Sequence, residues 1–357
     1  MVSKETFNGS VEYVQVMDEN GNVDQSLFPQ DLKDEQIVEM LKWMILTRAL
    51  DAKTLSLQRQ GRVYTYAPLV GEEATQVGTA LAMRKQDMFV PGYRQHGVYL
   101  VRGASLEAHF MGWRGFEEGL KVPKEVGGLP VSVPVGTQIL HAVGLAFAQK
   151  YKKQDSVVLG YTGDGGTSEG DFYESLNFAG VWKVPVVAVV ENNEWAISVP
   201  RSHQTAAQTL AQKAIAAGIK GVQVDGNDVI GVYKVTKDAI ESAKNGMPVM
   251  IESMTYRMSM HTTADDPTKY RDPKEVEYWK ARDPIDRVRK YLTAKNLWNA
   301  DIEAKLAEEN SKRINEAVEK AEAFKGDPKS MFENAYSFVP ETLQEELDDA
   351  EANNFWQ

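Results

Sequence analysis

Two apolar runs bracket a short glycine-rich turn between residues 157 and 193, and that arrangement leaves few folds open to the chain. Val157-Val158-Leu159 leads into the turn Gly163-Asp164-Gly165-Gly166. An amphipathic stretch follows, and the mostly β-branched run Val184 to Val190 then ends on Glu191-Asn192-Asn193. Strand, turn, helix and strand make a βαβ unit, whose strands are parallel and whose crossover is right-handed in nearly all cases. Ser168 with Asp171 three residues on resembles a capping box, and Phe172, Leu176, Ala179 and Val181 are expected on the buried helical face. If the two strands are neighbours, Asp164 and Asn193 leave the same sheet edge. The C-terminal edge is where open α/β sheets bind ligands.

The residue types indicate what could sit there. A carboxylate and an amide oxygen are hard ligands that suit Mg²⁺, which takes about six oxygens at ~2.0–2.1 Å and often draws several from phosphates. Backbone N–H groups of Gly165 and Gly166, at the opening of a helix, offer donors to an anion. A metal-bridged diphosphate satisfies both features. On spacing alone, an ordinary Asp-Gly-Gly turn and a polar strand end satisfy them equally.

Elsewhere the pattern extends this unit. A helix is expected over residues 34–60, with Gly61 as its C-cap, and another opens at Gly71-Glu72-Glu73. Tyr93-Arg94 follows an apolar strand. Arg94 offers a planar fork for two phosphate oxygens and Tyr93 a hydroxyl, although a strand-end turn with a surface arginine fits the same residues. His96, His109 and His141 are expected to be structural or packed. Residues 127–136 are too rich in proline for a central strand. Strands at 221–224 and 248–256 flank a helix at 229–244, which continues a parallel sheet. The polar loop Arg257 to Arg271 follows the last strand and so belongs to the edge carrying Asp164 and Asn193. From Val276 the chain reads as helical, with Tyr278, Trp279, Ile285, Val288, Tyr291 and Leu292 available for docking and EELDDAEANN as a solvated acidic end.

Composition excludes several function classes. A formal charge of -11 disfavours nucleic acid and anionic membrane as partners. There is no cysteine, hence no disulfide or thiolate nucleophile. No run reaches the ~18 apolar residues of a membrane span, and MVSKETFNGS has neither a signal-peptide nor a transit pattern. A cytoplasmic location is the expectation. Neither GxGxxG nor GxxxxGK[ST] occurs, so dinucleotide and P-loop readings have no motif.

Gly163-Asp164-Gly165 followed by Asn192-Asn193 resembles the thiamine diphosphate fingerprint. The wider run GDGGTSEGDFYESLNFAGVWKVPVVAVVENNEWAIS, with QRQGRVYTYAPLVGEEATQVG, PGYRQHG, AQKAIAAGIKGVQVDGND and HTTADDPTKYR, resembles one family in particular. That family is the alpha subunit of the thiamine diphosphate-dependent decarboxylase component of 2-oxo acid dehydrogenase complexes, closest to the pyruvate dehydrogenase type of Gram-positive bacteria. The likeness runs from about Glu12 to Val339.

The resemblance implies an α/β parallel-sheet fold carrying the diphosphate side of the cofactor. It divides into an N-terminal arm over 1–30 lying on a neighbouring subunit or domain, an α/β domain over 31–275, and a helical extension over 276–357. It implies Mg²⁺ held by Asp164, the Asn193 side chain and the main-chain oxygen of Trp195. Gly165 and Gly166 would cradle the diphosphate; Tyr93, Arg94 and Arg257 would hold its outer oxygens; Val133 and Val135 would hold the aminopyrimidine ring; His261 would lie near the reacting centre and the cofactor. Implied partners are a beta subunit in an α₂β₂ heterotetramer, a dihydrolipoyl acyltransferase core with its lipoyl domain, and a 2-oxo acid, pyruvate or alternatively a branched-chain acid or acetoin. One departure stands out: relatives often carry a histidine near position 67, where Tyr66 and Ala67 stand here.

Overall fold

The computed structural model describes residues 7–327 and 329–353. In chain order its first elements are β1 (Glu12–Val14), α1 (Asp34–Arg59), α2 (Glu73–Ala82), β2 (Met88–Val90), α3 (His96–Val101) and α4 (Leu106–Trp113). The central unit follows as α5 (Thr137–Tyr151), β3 (Val158–Gly163), α6 (Gly170–Trp182) and β4 (Val186–Asn192). A small hairpin of β5 (Trp195–Ala196) and β6 (Val199–Pro200) leads to α7 (Arg201–Gln204), α8 (Gln212–Ala216), β7 (Lys220–Asp225), α9 (Val229–Lys244) and β8 (Val249–Met254). The remainder is helical: α10 (Pro273–Lys280), α11 (Pro284–Ala294), α12 (Ala300–Ala323), α13 (Ser330–Glu333) and α14 (Glu341–Ala352).

Six strands form one parallel sheet in the order β1-β7-β8-β4-β3-β2. Both faces are covered, and β4 explains why its sequence is apolar without alternation. Val187 and Val189 enter a core with α1, α2, α9 and α11, while Ala188 and Val190 enter a second core with Ile139 of α5, Phe172 and Leu176 of α6, and Ala214 of α8. The expected βαβ unit is present, and β3 and β4 are paired neighbours in register Gly163 to Glu191. From β4 the chain crosses to β7 and returns through α9 to β8, which pairs with the free side of β4. Three consecutive strand tips, those of β3, β4 and β8, therefore share one edge.

Several local expectations are corrected. Glu12–Val14 is the parallel edge strand of this same sheet, beside β7, and Val16 and Met17 are buried in its main core, so this part of the chain is built into the α/β domain itself. The capping box at Ser168 does not form, because Gly165–Ser168 is a separate 3₁₀ turn and α6 begins at Gly170 with no side-chain cap. Val181 is 67% exposed; it stands nine residues after Phe172, which at 3.6 residues per turn is the opposite face. His141 is exposed rather than packed, its Nδ1 at 2.8 Å from Thr137 O. The acidic end forms α14, with Leu347 and Ala350 buried; the last residue of EELDDAEANN, at position 354, lies outside the described residues.

The helical part is tied down by both apolar and ionic contacts. Ile285, Val288, Tyr291 and Leu292 of α11 join the main core. Trp279 stacks on Tyr256 at 5.4 Å, whereas Tyr278 is exposed beneath the Arg282 guanidinium. Arg48 of α1 donates two bonds to Glu73 of α2, both 2.7 Å, and one of 2.6 Å to Asp283 at the start of α11. This forked pairing locks three helices behind the sheet edge.

Candidate functional site

The three strand tips surround a cavity of about 290 Å³. Tyr93, Arg94, Val135, Asp164, Gly165, Gly166, Asn193, Trp195, Arg257 and His261 line it, so ten of the eleven residues expected from the sequence converge there. Val133 does not; it lines an adjoining cavity of about 370 Å³ that shares Tyr93 as a common wall.

The tip of β3 supplies a desolvated acid. Asp164 is 2% exposed, and Oδ2 accepts one bond from Gln204 Nε2 of α7 at 2.7 Å. Burial pushes its carboxyl up to about 6, partly opposed by the Gln204 bond and by Arg257. Among the described residues no cation lies within ion-pair reach of it. The next two positions are glycine for a steric reason. A Cβ at Gly165 would stand 2.7 Å from Ala196 Cβ, and one at Gly166 only 2.0 Å from Thr162 Oγ1. The turn is closed by Thr167, whose N–H and hydroxyl both donate to Asp164 O at 3.1 and 2.7 Å. Buried Lys213 in turn donates to Thr167 O at 2.7 Å.

The tip of β4 turns sharply. Glu194 takes the left-handed backbone conformation (φ 71°), which an ordinary side chain rarely adopts, and beyond it the Trp195 N–H turns back to Asn193. Asn193 donates from Nδ2 to Glu72 Oε1 at 2.9 Å, and its Oδ1 receives Trp195 N–H at 3.4 Å. Trp195 O accepts from Arg257 Nη1 at 2.9 Å, leaving one lone pair.

Behind this tip lies a pair that the sequence reading missed. Glu72 and Glu191 are both fully buried carboxyls held above the usual carboxylate range, by burial and, for Glu191, by the neighbouring Glu72. Gln95 Nε2 donates to Glu191 Oε2 at 2.9 Å. Glu72 Oε2 and Glu191 Oε1 have no hydrogen-bond donor among the described residues. The available signal was an acid at the end of a strand buried along its whole length, Glu191 of β4.

The basic side of the cavity is built on two arginines and a histidine. Arg94 is buried; it donates to Pro68 O and, through Nη2, to His261 O at 3.0 Å. Arg257 is buried as well and donates to Ile197 O at 2.9 Å in addition to Trp195 O. Each guanidinium also comes within 3.3 Å of His261 Nδ1. Two donors facing Nδ1 make it the acceptor and leave the proton on Nε2. Burial, then Arg94 and Arg257, lowers the imidazole to about 4, so His261 is neutral at physiological pH. Tyr93 meets its ring edge-on at 6.1 Å. The loop is closed by Asp265, which accepts from His261 N–H at 2.8 Å and from Tyr270 OH at 2.5 Å.

The remaining histidines near this edge do not line it. His96 is buried and His109 half-buried, and desolvation keeps both neutral, lowering His96 to about 3 and His109 well below its usual value. Tyr66 stacks on His96 at 5.3 Å and donates to buried Asp51 at 2.6 Å, so residues 66 and 67 face the interior behind the cavity. Among the described residues there is no cluster of three His, Asp or Glu side chains placed to hold a metal, and no helix is long and apolar enough to cross a membrane.

Comparison with known proteins is consistent along the chain. Residues 41–329 match the family described as Dehydrogenase E1 component. "Pyruvate dehydrogenase E1 component subunit alpha" of Staphylococcus aureus (strain Mu50 / ATCC 700699) is 45% identical over 340 residues, covering 94% of this chain and 92% of the relative. The protein of the same name from Staphylococcus epidermidis (strain ATCC 12228 / FDA PCI 1200) is 44% identical, with the same coverage.

Proposed function

The chain belongs to the Dehydrogenase E1 component family, and from that premise we propose that it is the alpha subunit of a pyruvate dehydrogenase E1 component. It is then a thiamine diphosphate-dependent 2-oxo acid dehydrogenase chain, part of an oxidoreductase that is active only with its beta subunit. The observation that carries the reading is Asp164: a buried carboxyl with no ion-pair partner among the described residues, set beside a side-chain-free turn and two arginines at one sheet edge.

The donor set suits the cofactor and its metal. Asp164, Asn193 Oδ1 and Trp195 O are oxygen donors of the kind Mg²⁺ takes, with room left for phosphate oxygens. A cation there would neutralise the charge that burial now penalises in Asp164. Gly165 and Gly166 let the backbone approach the diphosphate where a Cβ would collide. Tyr93, Arg94 and Arg257 would hold its outer oxygens, and Val135 in this cavity, with Val133 in the adjoining one, would hold the ring. When bound, thiamine diphosphate supplies the nucleophilic carbon and electron sink for decarboxylating a 2-oxo acid and passing its acyl group to a lipoyl arm. His261 is a neutral Nε2–H donor beside that position. It is suited to orient a substrate carboxylate or carbonyl.

An α₂β₂ heterotetramer docked on a dihydrolipoyl acyltransferase core is part of the proposal. Exposed Phe147 and Phe178 flank Trp182 at 5.0 and 4.5 Å on the outer faces of α5 and α6, an aromatic surface of the kind that marks partner interfaces. Residues 276–357 are proposed as an extension of the α/β domain, which the burial of α11 in the main core supports. A cytoplasmic location completes the proposal. The test is reconstitution with the beta subunit and a lipoyl domain. Pyruvate should support reductive acetylation and this chain alone should not; a preference for 3-methyl-2-oxobutanoate or acetoin would overturn the pyruvate assignment.

A further inference from the structure

Asparagine as a metal ligand has a built-in ambiguity. Its amide is nearly symmetric in shape, so a half-turn about the terminal bond exchanges Oδ1, which would ligate a cation, for an NH₂ that would repel it. Trp195 N–H lies 3.4 Å from Oδ1, too long to hold the choice by itself. Glu72 holds it: its Oε1 accepts from Asn193 Nδ2 at 2.9 Å, and the flipped amide would set two oxygens against each other.

Glu72 is itself rigidly placed. It is the residue preceding α2, its N–H donates to Leu69 O at 2.9 Å, and its carboxyl neighbours that of Glu191. Preceding Gly71 has φ 105°, and a Cβ there would come 2.1 Å from Tyr256 O, so the loop is clamped against the chain leaving β8. Arg94 Nε stands 3.9 Å from the same Oε1.

We propose that Glu72 is a positioning residue: by fixing the Asn193 amide it presents Oδ1 to the cation, without touching cation or substrate itself. The inference rests on the metal reading of the Asp164–Asn193 site. Residues that orient metal ligands through hydrogen bonds typically contribute 10–100-fold to metal affinity.

The test uses the assembled two-chain component, with Mg²⁺ titrated calorimetrically in the presence of thiamine diphosphate. Glu72→Met, of similar reach but with only a weak thioether acceptor, should weaken Mg²⁺ about 10–100-fold, and Glu72→Gln, which keeps an acceptor oxygen, should restore near-native affinity. In an Asn193→Ala background Glu72→Met should add no further loss, because the ligand it orients is gone. Should Glu72→Met fail to fold, Glu72→Ser, too short to reach the amide, serves in its place. Native affinity in the Glu72→Met variant, equal losses in Met and Gln variants, or an undiminished effect in the Asn193→Ala background would each overturn the inference. Asp164→Ala separates the two levels. If it abolishes Mg²⁺ binding while the Glu72 variants remain native-like, only the positioning role falls; if it leaves Mg²⁺ binding unchanged, the metal reading falls and this inference with it.

Discussion

Gly166→Ala is a one-methyl change whose effect follows from geometry. The new Cβ would stand 2.0 Å from Thr162 Oγ1, where ordinary contact begins at 3.4 Å, so some 1.4 Å must be found. Thr162 lies in β3, paired with Val190 of β4, and cannot retreat as a unit. Either its rotamer breaks or the Asp164–Ser168 turn is displaced by about that distance. Overpacking of this kind costs about 1–3 kcal/mol. For a chain this size, at ~2.1 cal/mol/K per residue, that is a fall of roughly 1–4 °C in Tm. The functional loss should be larger in proportion, because a misplacement near 1 Å in a site can cost on the order of 100-fold in rate. Differential scanning calorimetry of the assembled component measures the first effect, and turnover together with thiamine diphosphate titration measures the second. Adding Thr162→Ala removes the colliding oxygen and leaves Thr162 Cβ at 3.3 Å, so the double variant should recover both. Native binding by Gly166→Ala, or no recovery in the double variant, would refute the steric account of the turn.

Further predictions concern charge. His261 is held neutral down to about pH 4 by burial and two arginines, so His261→Gln should lower turnover without altering the shape of the pH–rate profile between 5.5 and 8; loss of an ionisation near 6.5 in the variant would contradict this. Asp51 is buried and raised to about 7. Its contribution is therefore greatest in acid and declines by about 1.4 kcal/mol per pH unit from ~4 up to 7. Asp51→Asn should gain stability relative to the native chain across that window and no further above it, and a difference independent of pH in urea unfolding would refute the assignment. Arg48→Met leaves Glu73 buried without its cation and should cost ~3–5 kcal/mol, read by the same unfolding; a loss under about 1 kcal/mol would mean the pair is not what locks the three helices.

The parts of the fold that were legible were those with a strong local cause. α4, α9 and the βαβ unit follow from apolar periodicity and turn residues, and the shared edge of Asp164, Asn193 and Arg257 follows from parallel topology. What failed depended on tertiary packing. Three residues at Glu12–Val14 carry too little pattern to reveal that they pair with β7, more than 200 positions away. Val181 and His141 are apolar or aromatic yet exposed, because α5 and α6 turn those faces away from the sheet. Glu72 and Glu191 were overlooked because buried acids look like surface acids in a sequence. Only the depth of β4 and the amide of Asn193 give them meaning. Val133 fell on the far side of the Tyr93 wall, since a proline-rich loop has no periodicity from which to assign directions.

The most direct measurement is a crystal structure of the assembled component with thiamine diphosphate and Mn²⁺ in place of Mg²⁺, located by its anomalous scattering. One peak should lie at about 2.0–2.3 Å from an Asp164 carboxylate oxygen, Asn193 Oδ1 and Trp195 O, bridging to the diphosphate. A bound cofactor whose metal peak lies away from these three oxygens would contradict the account.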